Sequence, residues 1–275
     1  MVGTLIGGRM AGMRVSMASV AARSGRVNED FTGAVPAGAV LVDGAGIPGA
    51  EATCRHGVAW YASRLGATLL ALLASGPDRG LRELLAEAIE RVTDAHRGTC
   101  AVADPIGPSA TVAMLRVSGG VLEYLVLGDS FLVLDRADGA PIVVTDPREV
   151  VISSSYVPAL EAAGQGTDAY QRILNDLRSH RNAPGGFWLA KDDPRAAGEA
   201  VTGSCPIVEL SGAVLLSNGA ARLADEFRTG WPEVLAVLAS DGPAEIIRRV
   251  RQAEARHAVR PDDATITHCT GLGEQ

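Results

Sequence analysis

The sequence is poor in aromatic residues and in closely spaced cysteines. Only 4% of its 275 residues are Phe, Trp or Tyr, whereas 47% are hydrophobic, so the core has to be built from Ala, Val, Leu and Ile. The four cysteines, Cys54, Cys100, Cys205 and Cys269, form no C-x-x-C pair. Because disulfide-stapled domains place more cysteines in fewer residues, we expect free thiols and a cytoplasmic protein.

A long apolar run and an excess of positive charge are also missing. The longest apolar stretch, residues 65–74, has about half the length that a membrane-spanning helix needs. The first residues lack the charged start and cleavage site of a secretory signal. Lys and Arg number 25 against 32 Asp and Glu, a formal net charge of −7. Binding nucleic acid requires a clustered positive surface, so we expect neither a membrane nor a nucleic acid as partner.

The apolar patterns predict strands in blocks with helices between the blocks. We expect a flexible leader over residues 1–12 and a single domain over residues 13–275, with an irregular, flap-like segment over about 145–200. The predicted strands cover residues 13–20, 38–42, 110–117, 121–127, 131–134, 142–144, 201–210, 213–217 and 264–269. The predicted helices cover residues 54–74, 81–96, 168–179, 231–238 and 244–257. Strands in blocks favour a layered α+β domain over a doubly wound sheet.

Acidic residues stand beside turns at the ends of several predicted strands. They are Asp30, Asp43, Asp129 and the pair Asp262-Asp263, and Asn218 is a polar counterpart. Carboxylates that are buried together repel one another unless a cation is bound. Hard ions such as Mg²⁺ and Mn²⁺ are held by carboxylate and carbonyl oxygens. Each residue taken alone is also typical of an ordinary turn.

Taken in order, these motifs resemble those of the metal-dependent protein phosphatases, the PP2C-like or PPM family, in its bacterial form. The family pattern is N-E/Q-D, D-G-x-G, G-D-S, S/T-D-G and D-D/N-x-T. The matching segments are Asn28-Glu29-Asp30, Asp43-Gly44-Ala45-Gly46, Gly128-Asp129-Ser130, Ser217-Asn218-Gly219 and Asp262-Asp263-Ala264-Thr265. Any one of these strings is common, but five in the right order are specific.

The resemblance implies a four-layer α-β-β-α sandwich, in which two antiparallel sheets are flanked by helix pairs. It also implies two Mn²⁺ or Mg²⁺ ions that activate a water for attack on phosphoserine or phosphothreonine. The implied partner is a phosphoprotein, such as the product of a Ser/Thr kinase. By the same resemblance Asp43 bridges the ions, the Gly44 carbonyl binds one and Asp262 the other. Glu29 and Asp30 hold metal-bound waters.

An arginine precedes the N-E/Q-D stretch in the family and grips the phosphate. Arg26 and Arg23 both lie near the corresponding position, and neither fits the family spacing perfectly. Of the two, we favour Arg26. A guanidinium suits bidentate contact with phosphate. With Asp30, Arg26 completes the catalytic residues that the resemblance implies.

Position 218 is the main departure from the family pattern. The family has a metal-binding aspartate there, whereas Asn218 offers an amide oxygen without a charge, and Arg222 stands where another acid is common. Asn218 therefore indicates a phosphatase with weak metal affinity, a phosphatase-like binding domain that has lost activity, or a deliberate substitution. Asp104 is either a replacement ligand for a third ion or an ordinary Asp-Pro turn. His56 is either a residue of the cleft or an ordinary packing residue.

Overall fold

The computed structural model of the chain describes residues 13–46 and 52–273, and this part contains ten strands and seven α-helices. The strands are β1 (Arg14–Val20), β2 (Phe31–Val35), β3 (Gly38–Ala45), β4 (Ser109–Ser118), β5 (Val121–Leu127), β6 (Phe131–Arg136), β7 (Ile142–Val144), β8 (Val201–Pro206), β9 (Leu210–Leu216) and β10 (Ala264–Thr270). The helices are α1 (Gly57–Ser75), α2 (Leu81–Arg97), α3 (Arg148–Ala163), α4 (Asp168–Ser179), α5 (Asn218–Asp225), α6 (Trp231–Asp241) and α7 (Pro243–His257).

Two five-stranded antiparallel sheets form the centre of the fold. Their strand orders are β1-β10-β9-β6-β7 and β2-β3-β4-β5-β8. Successive side chains of a strand point to opposite faces. In β3, Ala39 and Leu41 accordingly join the core between the sheets, while Val40 and Val42 join the core beneath the helices. A strand buried on both faces reads as a continuous apolar run, and this explains the pattern at residues 38–42.

Helices cover the outer face of each sheet, which confirms the predicted four-layer α-β-β-α sandwich. The helices α1 and α2 pack on the sheet that contains β3 and β4. The other sheet is covered by α5, α6 and α7, so this side carries three helices rather than a pair. By length and composition α1 could cross a membrane. However, Tyr61, Leu65 and Leu69 of α1 are fully buried in the protein, and the apolar character of α1 is accounted for by this packing.

The segment 145–200 differs from the prediction. Helix α4 matches the predicted residues 168–179, but the helix α3 was missed and the segment is not mainly irregular. No residue of α3 is fully buried, and Val150, Val151 and Val157 are exposed. The apolar periodicity from which a helix is predicted depends on one buried face, and α3 lacks such a face.

The prediction of one strand over residues 201–210 is wrong. The strand β8 ends at Pro206, a short 3-10 turn follows over Ile207–Glu209, and β9 begins in the other sheet. Proline has no backbone N–H to donate to a sheet. The short elements β2 and α5 were also missed, and the leader expected at residues 1–12 lies outside the described residues.

Candidate functional site

Polar side chains from five segments meet at one edge of the sandwich. Asp43 lies near the end of β3, Asp129 between β5 and β6, and Asn218 at the start of α5. Asp30 precedes β2, and Asp262 precedes β10. The charges of Asp30, Asp129 and Asp262 all act on Asp43. The structure therefore brings together acids that are widely separated along the chain.

Asn218 connects two of these acids. Its backbone N–H donates to Oδ2 of Asp43 over 3.0 Å, and its side-chain Nδ2 donates to Oδ2 of Asp129 over 2.7 Å. Burial raises the pKa of Asp43 well above its usual value, and repulsion from Asp30 and Asp129 adds to this effect. The two hydrogen bonds from Asn218 act in the opposite direction, since they favour the charged carboxylates. As placed, Asn218 stabilises this cluster without a cation.

Asp30 is a deeply buried carboxylate of the site. Only 9% of the residue is exposed, and neither of its buried oxygens has a hydrogen-bond partner among the described residues. Burial raises the pKa of Asp30 to about 6, the charge of Asp263 adds to the shift, and the nearby hydroxyls of Thr265 and Ser217 reduce it. A buried carboxylate whose hydrogen bonding does not offset the loss of water is costly. A cation beside Asp30 would remove this cost.

Glu149 is a further member of the site, and no sequence motif indicated it. It lies in the first turn of α3, and its carboxyl group interacts with Asp129 by charge and by a side-chain hydrogen bond. Burial raises the pKa of Glu149 to about 7, and the charge of Asp129 adds to this effect. The Arg181 guanidinium acts against the shift and donates to Oγ of Ser109 over 3.3 Å. No sequence motif pointed to Glu149, because α3 itself was not predicted.

Asp262 and Asp263 have different surroundings. The side chain of Asp262 is 53% exposed and forms an ion pair with Nη2 of Arg222 at 3.2 Å. Arg222 also pairs with the fully buried Glu254 at 3.0 Å. Asp263 is buried instead, and its two oxygens accept from the backbone N–H groups of Ala22 and Glu29, each over 2.7 Å. Asp263 thus fixes the segment that carries Glu29 and Asp30 against the start of β10.

The arginines before β2 are near the surface. Arg26 forms an ion pair with Glu29 at 3.6 Å, and its side chain is 45% exposed. Burial raises the pKa of Glu29, the Arg26 charge opposes this, and Asp263 and Asp262 add to it. Arg23 is exposed. In the part of the chain that the structure describes, Arg26 contacts a predicted site residue through this ion pair.

Two glycines of the motifs are required by close backbone contacts. A Cβ atom at Gly44 would collide with the carbonyl oxygen of Glu29, and one at Gly219 would collide with that of Asp263. Both glycines therefore let the segments with Glu29 and Asp263 approach the strand ends closely. Substitution of either residue would separate the acids on one side of the site.

Two residues considered as candidates from the sequence lie in other surroundings. Oδ1 of Asp104 accepts from the backbone N–H of Ile106 over 3.0 Å, as in an ordinary turn. His56 lies beside Cys54 and Cys100, with its Nδ1 3.3 Å from the Cys100 sulfur.

The donor set at Asp30 and Asp43 fits a hard divalent cation. Its ligands are oxygens, the pKa values of Asp30 and Asp43 are raised by burial, and Asp30 has no partners among the described residues. The part of the site around Asp262 fits a divalent cation less well, because Arg222 already neutralises the Asp262 carboxylate. Within residues 13–46 and 52–273, no three carboxylates bring their oxygens within 4.8 Å of one another. Because of the ion pair with Arg222, an ion could bind Asp262 only if the Asp262 side chain moved away from Arg222.

Without divalent cations, we expect the protein to lose stability as the pH rises from about 4 to about 7. The pKa values of Asp30 and Glu149 in the folded chain, about 6 and about 7, exceed the ordinary values of 3.8 and 4.5. The folded chain then binds protons that the unfolded chain has released. The resulting stability is complete below pH about 4 and is lost as the pH rises through these raised values. For Asp30 the loss is on the order of 3 kcal/mol.

Thermal unfolding in EDTA between about pH 5 and about pH 8 measures this dependence of stability on pH. Saturating Mn²⁺ should make the stability less dependent on pH, since the cation takes the place of the protons. A melting temperature that rises with pH in EDTA over this range would contradict the burial of uncompensated carboxylates.

Replacing Asp263 by alanine should lower the free energy of unfolding by about 3 kcal/mol. Two backbone N–H groups, those of Ala22 and Glu29, would lose a charged acceptor. Asp262→Ala is the matched control, because its half-exposed ion pair should contribute less than about 1 kcal/mol. Urea unfolding measures both variants, and equal destabilisation by the two would contradict the different roles assigned to these neighbours.

Comparison with protein families gives one match that bears on this site. The sequence model of the family described as protein phosphatase 2C matches residues 19–185, more than half of the chain. The match begins in β1 and ends after α4, and it includes Glu29, Asp30, Asp43 and Asp129. No curated protein matches this sequence.

Several solved structures have the same fold. MsPP, a PPM Ser-Thr phosphatase from Mycobacterium smegmatis solved with cacodylate, is 21% identical with a TM-score of 0.57, over 94% of this chain and 99% of its own. The serine/threonine phosphatase PstP from Mycobacterium tuberculosis is 17% identical with a TM-score of 0.59, over 94% and 98%. The PstP catalytic domain has also been solved with two manganese ions, and its TM-score is 0.56 at 17% identity, over 94% and 98%. At these identities, the likeness is one of fold.

Proposed function

Because the chain belongs to the protein phosphatase 2C family, we propose that it is a phosphatase that hydrolyses phosphoserine and phosphothreonine in proteins with Mn²⁺ or Mg²⁺. The family supports phosphatase chemistry in general. The choice of ion and of a protein substrate follows the resemblance of the motifs. The two manganese ions of the PstP catalytic domain support the same ion here.

The observation that carries this proposal is the buried pair Asp30 and Asp43. Both carboxyl groups have raised pKa values because of burial, and Asp30 has no hydrogen-bond partner among the described residues. A fold that buries such acids gains stability from a bound cation, since the cation restores their favourable ionisation. An oxygen-only site of this kind prefers Mg²⁺ or Mn²⁺ to softer metals.

Each residue then has a defined task. Asp43 and the Gly44 carbonyl would hold the metal, Glu29 and Asp30 would hold its bound waters, and Asn218 keeps Asp43 and Asp129 in place through its two hydrogen bonds. When bound, the metal neutralises the phosphoryl oxygens and lowers the pKa of a water for in-line attack. Arg26, half-exposed at the edge of the site, orients the phosphate through paired hydrogen bonds. Asp263 accepts a hydrogen bond from the Glu29 backbone N–H and so holds the segment with Glu29 and Asp30 in place.

A second function, a regulatory binding domain with little or no activity, is favoured by a specific contact. The Arg222 guanidinium neutralises Asp262 at 3.2 Å, and Asn218 brings no charge. The negative charge of Asp262 is therefore neutralised without a second metal ion. A domain that keeps the phosphatase fold but turns over slowly could bind a phosphoprotein and release it unchanged.

Hydrolysis distinguishes the two functions. We expect turnover of p-nitrophenyl phosphate and of a phosphothreonine peptide with Mn²⁺, and loss of turnover in EDTA. Calorimetry with Mn²⁺ alone gives the number of ions bound to the chain. Absence of turnover together with tight binding of a phosphopeptide would favour the regulatory domain. Turnover that persists in EDTA would overturn the proposed metal dependence.

The phosphate-binding arginine can be identified by a pair of substitutions. Arg26→Ala should raise KM at least about tenfold, because charge-assisted hydrogen bonds to the phosphate are lost. Arg23→Ala removes an exposed arginine three residues away and should leave KM nearly unchanged. Steady-state kinetics with p-nitrophenyl phosphate checks both variants. The reverse pattern would assign this role to Arg23.

A further inference from the structure

Two thiols and an imidazole meet at the beginning of α1, apart from the carboxylates described above. Nδ1 of His56 lies 3.3 Å from the sulfur of Cys100 and 3.8 Å from the sulfur of Cys54. The three ligand atoms all lie within 4.8 Å of one another. Cys54 is buried, whereas His56 and Cys100 are partly exposed, so solvent can reach the group.

Helix packing holds this group together. Cys54 and His56 stand in the turn before α1, and Cys100 follows α2. The helices α1 and α2 pack against each other, and the backbone N–H of Ala101 donates to the carbonyl of Thr53 over 2.9 Å. The ligands are thus positioned by two buried helices and a backbone hydrogen bond, and such a rigid scaffold suits a metal site.

The distances agree with tetrahedral coordination of zinc. Zn²⁺ binds cysteine sulfur at about 2.3 Å and histidine nitrogen at about 2.0–2.1 Å, so that sulfur and nitrogen ligands of one ion lie about 3.5 Å apart. The two observed sulfur–nitrogen distances, 3.3 and 3.8 Å, lie on either side of this value. Thiolate and imidazole ligands select zinc over the hard ions expected at Asp30 and Asp43.

The two thiols have different surroundings, since Cys54 is buried and Cys100 is partly exposed. Burial raises the pKa of the Cys54 thiol. Burial acts in the same direction on Cys100, but the hydrogen bonds from Cys54, Thr99 and the backbone outweigh it and lower the pKa of the Cys100 thiol.

Aromatic rings fix the imidazole of His56. It stacks on the Trp60 ring with centroids 4.4 Å apart, and Trp60 meets the His96 ring edge-on at 5.2 Å. His96 is buried, and its Nδ1 lies 2.7 Å from the carbonyl oxygen of Val92. The ring contacts restrict the orientation of the His56 imidazole.

We propose that Cys54, His56 and Cys100 bind one Zn²⁺ ion, with water at the fourth position, and that this ion fastens the turn before α1 to the end of α2. The proposal does not depend on the proposed phosphatase activity, because no residue of the carboxylate site takes part. Zinc would also tie down the start of α1, whose residue Val58 packs close to Gly44 of the carboxylate site.

The test uses the full chain, purified under reducing conditions and titrated with Zn²⁺ against a chromophoric chelator. We expect one zinc per chain, bound with the same stoichiometry in Asp43→Asn. Cys54→Ser and Cys100→Ser should each weaken binding at least about a hundredfold, since loss of even a supporting residue costs 10–100-fold. Cys205→Ser is the matched control, because Cys205 is a free buried thiol of β8. Zinc binding that survives both cysteine substitutions would overturn the proposal.

Two measurements on the unmodified chain keep the test independent of variant folding. Co²⁺ in place of zinc should give the charge-transfer absorption of thiolate ligation. Zn²⁺ should protect Cys54 and Cys100, but not Cys205, from alkylation, as read by peptide mass spectrometry. A cobalt spectrum without thiolate ligation, or equal alkylation with and without Zn²⁺, would overturn the site. So would a Cys54–Cys100 disulfide that persists in reductant and excludes zinc.

Discussion

Replacing Asp43 by asparagine should abolish Mn²⁺-dependent phosphate hydrolysis and at the same time stabilise the metal-free protein. The negative charges of Asp30, Asp129 and Asp262 all repel a charge on Asp43. Its neutral isostere cannot supply a negative charge to a bound metal, so metal affinity should fall by more than about a hundredfold. In EDTA the same change removes a buried charge, and the free energy of unfolding should rise by on the order of 1–2 kcal/mol.

The opposite signs of these two effects are what identify a metal ligand. Turnover of p-nitrophenyl phosphate and urea unfolding in EDTA measure them. Asp94→Asn is the matched control, because Asp94 is exposed on α2 and pairs only with the exposed Arg97 among the described residues. It should change neither quantity. Full activity in Asp43→Asn would show that the carboxylate cluster takes no part in the reaction. Destabilisation of Asp43→Asn in EDTA would show that Asp43 has a structural role instead.

Replacing Asn218 by aspartate should strengthen Mn²⁺ binding and weaken the metal-free fold. The new carboxylate adds a ligand charge, and a tenfold gain in affinity corresponds to about 1.4 kcal/mol. In the absence of metal, the hydrogen bond from Nδ2 to Asp129 is lost and a further negative charge faces Asp43 and Asp129. The free energy of unfolding in EDTA should then fall by on the order of 1–3 kcal/mol.

Calorimetry with Mn²⁺ and urea unfolding in EDTA check this prediction. Asn175→Asp makes the same chemical change at an exposed position of α4 and should leave both quantities unaltered. A gain in affinity accompanied by faster turnover would mean that Asn218 weakens a working enzyme. Unchanged affinity would indicate that Arg222 and Asp262 keep this side of the site closed to a second ion.

The central strands and the helices with one buried face were predictable from the sequence. The run at residues 38–42 and the helices α1 and α2 follow the apolar pattern, because packing selects the residues on their buried faces. Helix α3 has no buried residue, and β2 is short, half-buried and interrupted by Gly33. Without a buried face there is no periodic signal, and these elements were missed.

The site was predictable only where its residues belong to contiguous motifs. Asp43, Asp129 and Asp262 stand next to glycine or a second acid in recognisable strings. Glu149 reaches Asp129 through an unpredicted helix. Cys54 and Cys100 become neighbours only when α1 and α2 fold back on each other, and no spacing rule for cysteines anticipates that contact. Asp263 looked like Asp262 in sequence, and only the partners of its oxygens separate the two.

The pairing of β1 with β10 determines when the carboxylate site can form during synthesis. Seven residue pairs join these strands, from Arg14 with Thr270 to Val20 with Ala264. Asp263, at the start of β10, holds the segment that carries Glu29 and Asp30. A nascent chain that still lacks β10 leaves these two acids without their anchor, however completely the first sheet has folded. The segment with Glu29 and Asp30 therefore lacks this anchor until the ribosome has released β10, so that the first acids of the site to be translated are among the last to be held in place.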